Sequence, residues 1–363
     1  MSNATTTPRA SSTRLLSLDV FRGLALVGMV LVNVPGANVW PQLSHAAWDS
    51  MTFADVVFPA FLFAMGASMA LGHPPTALRT FRRVVVLVAV GLALNYAATG
   101  SPLRYPGVLQ SIAFAFLLAS MIIRLPRKIV VAIVVVLLVA HGAALVRYGT
   151  APGQSLESTL DLEVFGRPHL YLGMTYDPEG VVSSVASLAT VLIGFLAGGW
   201  LRRAPRTPAT VAWLLGGSLV VALLAWPTQS VADLNKQLWT PSYTMLTAAL
   251  CGMVLAVVFL VCDVGSRRAR ALGVPFAIIG ANSLVVYAGS ELAAIGLFKI
   301  VTPSGPCAPD GCPTTTGYAW LFDHLFVPWA GLRLGSLLFS LAFVGVFWVL
   351  AALLWRAKIF VRA

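Results

Sequence analysis

Charge is scarce in this sequence. Asp, Glu, Lys and Arg make up 10% of its 363 residues, against 58% hydrophobic, a balance that leaves too little polar surface for a water-soluble domain. Several local signatures of chemistry are also missing: there is no Gly-rich phosphate loop, no Gly-x-Ser-x-Gly elbow and no HExxH. Cysteines number four, and no second Cys/His pair stands at ligand spacing, which argues against a zinc site and leaves no metal expected. The first apolar run has no small-x-small exit and carries Asp19 and Arg22, so no cleavable signal is expected. Internal repeats of the kind that mark many secondary transporters are not evident. Acidic residues are the scarcer charge, 13 against 24 basic ones, for a net charge of +11. The basic residues sit between apolar runs instead of gathering on one polar face, which argues against a nucleic-acid partner.

What the chain has is apolar length. At ~1.5 Å per residue and a hydrocarbon core of ~30 Å, ten stretches read as crossings: 18–34, 53–71, 84–98, 108–123, 129–146, 181–201, 209–226, 243–264, 276–298 and 334–355. The third and fourth are the shortest. Assigning alternate connections to opposite sides tests the count, because Lys and Arg accumulate on the cytoplasmic side. One set collects Arg79, Arg82 and Arg83; Arg124, Arg127 and Lys128; Arg202, Arg203 and Arg206; Arg267, Arg268 and Arg270; and the basic residues at both chain ends. The other connections hold isolated residues such as Arg104 and Lys236. The expected fold is therefore an all-α polytopic membrane protein of about ten transmembrane helices with both termini cytoplasmic. Residues 1–13 read as a disordered cytoplasmic tail, and residues 14–363 as one transmembrane domain whose first partner is the lipid bilayer.

Ionisable groups at membrane depth are costly and mark function more often than chance. Asp19 and Arg22 share one face of the first helix and can pair. Asn33 ends that helix, and the loop after it leads through His45, Trp48 and Asp49 to Thr52-x-x-Asp55 and Pro59. His45 can take a proton near neutral pH or attack an acyl carbon. Asp55 reads equally well as half of a capping box with Thr52, and Pro59 frees the carbonyl of Asp55. Further on, Tyr176-Asp177-Pro-Glu179-Gly180 precedes the sixth span; its two carboxylates could hold an amine or a sugar hydroxyl, or complement a helix dipole. Asn235-Lys-Gln-Leu-Trp239 opens the eighth span, and Asn282 and Glu291 fall within the ninth. Cys251 and Cys262 read as small apolar packers. Cys307 and Cys312 flank a Pro-Asp-Gly turn on an outer loop, where a disulfide is permitted. Gly66, Gly194 and Gly198 read as helix-packing positions.

These residues in this order carry a family pattern. Arg14-Leu-Leu-Ser-Leu-Asp19-Val-Phe-Arg22-Gly23, Val32-Asn33, His45-x-x-Trp48 through Thr52-x-x-Asp55-x-x-Phe58-Pro59, and Arg104-Tyr-Pro-Gly-Val-Leu-Gln110 resemble the heparan-α-glucosaminide N-acetyltransferase family and its bacterial homologues. The likeness continues through Tyr176–Gly180, Asn235–Trp239, Gly280-Ala-Asn282-Ser and Lys358-Ile-Phe360. It implies acetyl transfer from cytoplasmic acetyl-CoA to the amine of a terminal glucosamine, or another amino-sugar or glycan acceptor, on the far side of the membrane. His45 matches the family's catalytic histidine and Asn33 its neighbouring asparagine, with Asp55 expected to orient the imidazole. On the coenzyme side the expected residues are Asp19, Arg22, Arg104, Gln110 and Asn282; on the acceptor side, Trp48, Asp177, Glu179, Trp239 and Glu291. The chain departs from the pattern at Asp49, Ser111 and Ser290, and its Asn33-to-His45 interval is one residue longer, which bears on acceptor identity more than on chemistry. The resemblance implies a compact bacterial version in the cytoplasmic (inner) membrane with its active-site mouth outside. N- and O-acetylation both stay open, as do a second copy of the chain as partner and, as an alternative function, a secondary transporter for a sugar or amino sugar.

Overall fold

Each of the ten apolar stretches is helical in the computed structural model, which describes residues 15–303 and 314–361. The expected tail, Arg14 and the Cys307–Cys312 pairing lie outside the described residues. Helix α1 spans Leu16–Asn33 and α2 Phe53–Leu71. The free N–H groups of Leu16 and Ser17 at the start of α1 donate to the carboxylate of Asp263, so a distant acid closes the end that lacks its own capping side chain. Thr76 caps α3 (Ala77–Thr99) locally, and α4 (Val108–Ile122), α5 (Arg127–Tyr148), α7 (Val181–Leu201) and α8 (Pro208–Thr228) follow the predicted order. A short helix, α6 (Leu156–Phe165), lies in the connection between α5 and α7. Helix α9 (Pro241–Phe259) runs on through one π-turn, Leu260–Val264, that carries Asp263.

Among the described residues seven helices are long and apolar enough to cross a membrane, and an eighth span results if a bent pair is counted as one. The two stretches that fall short are the two shortest in the sequence: α4 has 15 residues, ~22 Å of helix, and α3 carries Arg79, Arg82, Arg83 and Asn95 along its length. The ninth stretch differs from expectation. It is two helices, α10 (Arg267–Ala281) and α11 (Ser283–Lys299), bent by 70° at Asn282. Beyond them a small antiparallel pair, β1 (Val301–Pro303) with β2 (Thr314–Thr316), leads to α12 (Gly317–Leu325) and α13 (Val327–Arg356).

Helices α1, α2 and α7 are mostly buried, whereas α5 and α13, which are more apolar, and α8, which is comparably apolar, have little of their length buried. High hydropathy without burial is what a lipid-facing helix requires, so the molecule is an all-α integral membrane protein with α2 near its centre. The α2–α7 contact is made by small residues, as the sequence suggested. A Cβ on Gly194 would fall on the Phe63 carbonyl, on Gly198 against Ala67, and on Gly66 against the Val191 carbonyl. Without a hydrophobic force between helices in lipid, such close backbone approach supplies the packing. Gly194→Val is therefore expected to cost about 3 kcal/mol by overpacking, read as a fall in thermal unfolding temperature in detergent. Gly216→Val, where a side chain meets nothing within 4 Å, should change little.

Candidate active site

The loop from α1 to α2 folds back onto the start of α2. Asp55, in the first helical turn, reaches the Thr52 N–H with Oδ2 at 3.0 Å, completing the capping box. The same oxygen accepts the Ala46 N–H at 3.1 Å, and Oδ1 lies 2.8 Å from His45 Nδ1. The two readings of Asp55 are thus one structure: the cap that starts the helix also fixes the imidazole. A carboxylate only accepts, so Nδ1 carries a proton, and in the neutral imidazole Nε2 holds the lone pair. Asp55 is 1% exposed and His45 42%, an acid buried beneath a reachable ring. The Asp55 carbonyl, freed by Pro59, accepts the Tyr243 hydroxyl at 2.6 Å. Trp239 supports this arrangement from below: it is fully buried, edge-on to both Phe58 and Tyr243, and takes a positive φ of 58°.

Lys236 was not among the expected site residues. Its Nζ stands 3.3 Å from His45 Nδ1, 3.5 Å from Nε2 and 3.9 Å from Asp55 Oδ1, on a side chain 14% exposed. Burial pulls its pKa below the ordinary lysine value, while the charges of Glu179 and Asp55 act in the other direction. The loop that presents it is tied down by Asn235, whose amide donates to Asp49 and accepts from the Leu238 N–H.

A second cluster forms where the loops before α4 and α7 meet. Arg104 grips both oxygens of Asp177 at 2.8 and 2.5 Å and reaches Glu179 at 2.7 Å, with its guanidinium over the Tyr171 ring. Burial lowers the Arg104 pKa, but the two acids more than offset this and hold it above the ordinary arginine value. Asp177 is fully buried and also accepts the Tyr171 and Glu179 N–H groups. Asp161 on α6 takes the Asp177 and Val181 N–H groups, and burial, helped by the nearby acids, pushes its pKa up to about 6. Arg104, expected on the coenzyme side, is thus joined to the carboxylates expected at the acceptor. Trp48 packs edge-on to Tyr176 and donates to the Thr150 carbonyl, closing the loops over this cluster.

At the other ends of α1 and α2 lies a cavity of about 490 Å3. Asp19, Arg22, Ser68, His73 and Arg83 line it, with Met29 and Tyr287 among its apolar walls. Arg22 donates to Ser68 at 2.6 Å. Arg83 lies 4.2 Å over the Phe116 ring, and its buried Nε has no hydrogen-bond partner, so a donor stands ready for an anionic or carbonyl oxygen. Asn282, at the α10–α11 break, donates to Ile359 O and accepts from Val361 N; it positions the C-terminal segment whose Phe360 and Val361 line the cavity. Gln110 does not line it and packs instead against Gly91 and Gly107 between α3 and α4. One helical turn beyond Met29 and Tyr287, Asn33 donates to Glu291 at 2.8 Å, and that pair joins two residues expected in different roles. Among the described residues no group of three His, Cys, Asp or Glu side chains could hold a metal ion.

Residues 14–165 match the family described as heparan-alpha-glucosaminide N-acetyltransferase, catalytic. Over that stretch the chain is similar to this family. The heparan-alpha-glucosaminide N-acetyltransferase of Mus musculus is 26% identical over 361 residues, covering 79% of this chain and 54% of its own. That of Homo sapiens is 26% identical over 354 residues, covering 77% and 53%. The chain spans about half the length of the curated relatives it matches. The matched region holds Asp19, Asn33, His45, Asp55, Arg104 and Gln110, whereas Asp177, Glu179, Lys236 and Glu291 come from later elements that the fold brings to the same loops and helix ends.

Proposed function

We propose that this chain is a transmembrane acetyltransferase in which His45 carries the chemistry of moving an acetyl group from acetyl-CoA to an amino-sugar acceptor on the opposite side. The observation that supports it best is that two distinct sites occupy opposite ends of the same two helices. Helix α2 bears Asp55 at one end and Ser68 of the cationic cavity about 20 Å along, and α1 bears Asp19 and Asn33 at roughly 21 Å separation. The clustering of Lys and Arg in the connections at the cavity end supports a cytoplasmic cavity by the charge rule; on this reading His45 faces outside and the membrane is a bacterial inner membrane.

Acetyl-CoA supplies an acetyl thioester and several phosphates. Arg22, Arg83 and His73 suit the phosphates or amide oxygens of such a donor, and Arg83 Nε is the donor left open for one. At the other end, the lone pair on His45 Nε2 either takes the proton of the acceptor amine or accepts the acetyl group before passing it on. In either route a carbon–nitrogen bond forms, the carbon–sulfur bond breaks, and the amine proton ends on the thiol through the imidazole. Lys236 lies where negative charge develops on the acetyl oxygen, and Asn33 offers an amide donor. The acidic Asp177–Glu179 loop, its charge partly neutralised by Arg104, faces the acceptor ammonium or hydroxyls.

Right-side-out and inverted vesicles given labelled acetyl-CoA and a panel of amino sugars test this reading. Label should transfer only with donor and acceptor on opposite faces; uptake of intact sugar without acetylation would establish a transporter instead. The broken α10–α11 span is a feature transporters share, but they repeat it in matched halves, and among the described residues this is the one such pair.

The position of Lys236 makes a separate prediction. If its ammonium acts on the acetyl oxygen, the rate should fall on the alkaline side below the ordinary lysine value of ~10.4, because burial lowers its pKa. Lys236→Arg keeps a charge at all working pH and should extend the plateau to higher pH, while Lys236→Met should lower the rate about 10²-fold throughout. An alkaline limb that stays put in the arginine variant assigns the titration to another group.

A further inference from the structure

The far side of α7 carries another built feature, which shares no lining residue with the Arg22 cavity and includes none of the His45 loop. Where α5 begins and α7 turns into α8, a pocket of about 330 Å3 holds two cations, Arg127 and Arg203, beside Thr207 and Thr210 and walled by Trp200 and Trp213. The same two tryptophans form the mouth of a groove of about 480 Å3 that continues between α7, α8 and α9 and is lined mainly by apolar groups such as Ile193, Leu196, Leu214 and Val221. From the tryptophans to Ile193 and Val221 the groove runs about two helical turns, ~11 Å. A cationic pocket and an apolar channel therefore meet end to end at two shared indoles.

Their order along the helices matches the order of groups in a phospholipid. The arginines stand at helix ends, where headgroups lie, and tryptophans prefer that boundary; Trp213 is 74% exposed there. Below them the groove enters the span of α8, a mostly lipid-facing helix. The groove is open at Gly217, where a Cβ would meet nothing within 4 Å. Arg127 donates one Nη2 hydrogen to the Gly199 carbonyl at 2.7 Å, which fixes the guanidinium at the pocket with its other donors free to turn toward a ligand, and the planar fork suits phosphate oxygens.

We propose that this is a binding site for one anionic phospholipid, its phosphate between Arg127 and Arg203, its glycerol region between Trp200 and Trp213, and one acyl chain along the groove past Gly217. Charge decides the occupant. Two guanidinium groups at the headgroup level favour an anionic lipid over a zwitterionic one, and neither the length nor the apolar lining of the groove suits a free sugar phosphate. The inference is independent of the acetyl-transfer reading and holds whether or not that reading survives.

Native mass spectrometry of the purified full chain, mixed with equal phosphatidylglycerol and phosphatidylcholine, tests it, alongside thermal unfolding with each lipid and with glycerol 3-phosphate. The wild type should retain phosphatidylglycerol about tenfold over phosphatidylcholine and be stabilised by it, while glycerol 3-phosphate at the same concentration gives no protection. Arg203→Gln, which removes an exposed side chain, should bring the ratio close to one. Gly217→Leu, which fills the groove, should reduce retention of both lipids. Equal retention of the two lipids by the wild type would overturn the proposal, as would an undiminished preference in both variants. Protection by glycerol 3-phosphate alone would make it a free-phosphate site, and cross-linking of Cys introduced for Trp213 between two copies would make it a subunit contact; either result also overturns it.

Discussion

His45→Ala is expected to abolish acetyl transfer while leaving the folded protein intact. A positioned base contributes about 10²–10⁴-fold, and a covalent carrier removes the whole route when lost, so a fall of at least about 10³ in kcat/KM is expected. The fold should survive because His45 lies in a loop, is half-exposed, and gives up one hydrogen bond to an acid that keeps two backbone donors, Ala46 and Thr52. The measurement is initial rate with labelled acetyl-CoA in proteoliposomes, paired with unfolding temperature. Asp55→Asn separates orientation from chemistry. Asparagine can still accept a backbone N–H but cannot hold Nδ1–H as a carboxylate does, so a partial loss is expected, together with some loss of stability from the weakened cap. Undiminished turnover in His45→Ala would remove His45 from the mechanism; a carbonyl-labelled histidine trapped in the absence of acceptor would select the carrier route over the base route.

How much of this was legible in the sequence depended on whether a signal was local. Helices α2 and α7 begin and end where the apolar runs do, since capping residues and Gly-Pro boundaries mark them. The capping box at Thr52 and Asp55 was readable too, but it looked like a rival to a catalytic role because sequence does not show that His45 folds back over the same carboxylate. The break at Asn282 was hidden by an apolar run that continues across it; hydropathy records composition, not direction. Lys236 stands 191 positions from His45, and an isolated lysine in an outer loop has no pattern to announce it. By sequence Arg83 reads with its neighbours as topology charge, yet its position on α3 turns it into the cavity. Trp239 and Asp177, expected to meet an acceptor, are instead buried beneath the loops that would. Aromatic and acidic residues at a helix entrance signal importance without saying whether they touch the ligand or hold what does.

That distinction gives the largest expected effect on stability. Arg104→Met should destabilise the protein by about 3–5 kcal/mol, the cost of leaving a buried charge without its partner. Asp177 has no access to solvent, and its carboxylate is satisfied by two bonds from Arg104 together with the Tyr171 and Glu179 N–H groups. Methionine fills the space of the side-chain stem but supplies neither donors nor charge, and Glu179 loses the same partner. Lysine should recover only part of the loss, because one ammonium cannot reproduce the paired geometry of the guanidinium. Asp177→Asn in the Arg104→Met background should restore stability relative to Arg104→Met alone, since removing the orphaned charge removes its desolvation cost; the cycle of four proteins measures the coupling. Thermal unfolding in detergent reads all of these. An Arg104→Met protein as stable as the wild type would mean that water reaches Asp177 and that the cluster is not the closed unit its geometry describes. If instead stability falls and returns with Asp177→Asn while acetyl transfer stays low, Arg104 and Asp177 act on the reaction by holding Glu179 and the acceptor loop beside Lys236 and His45.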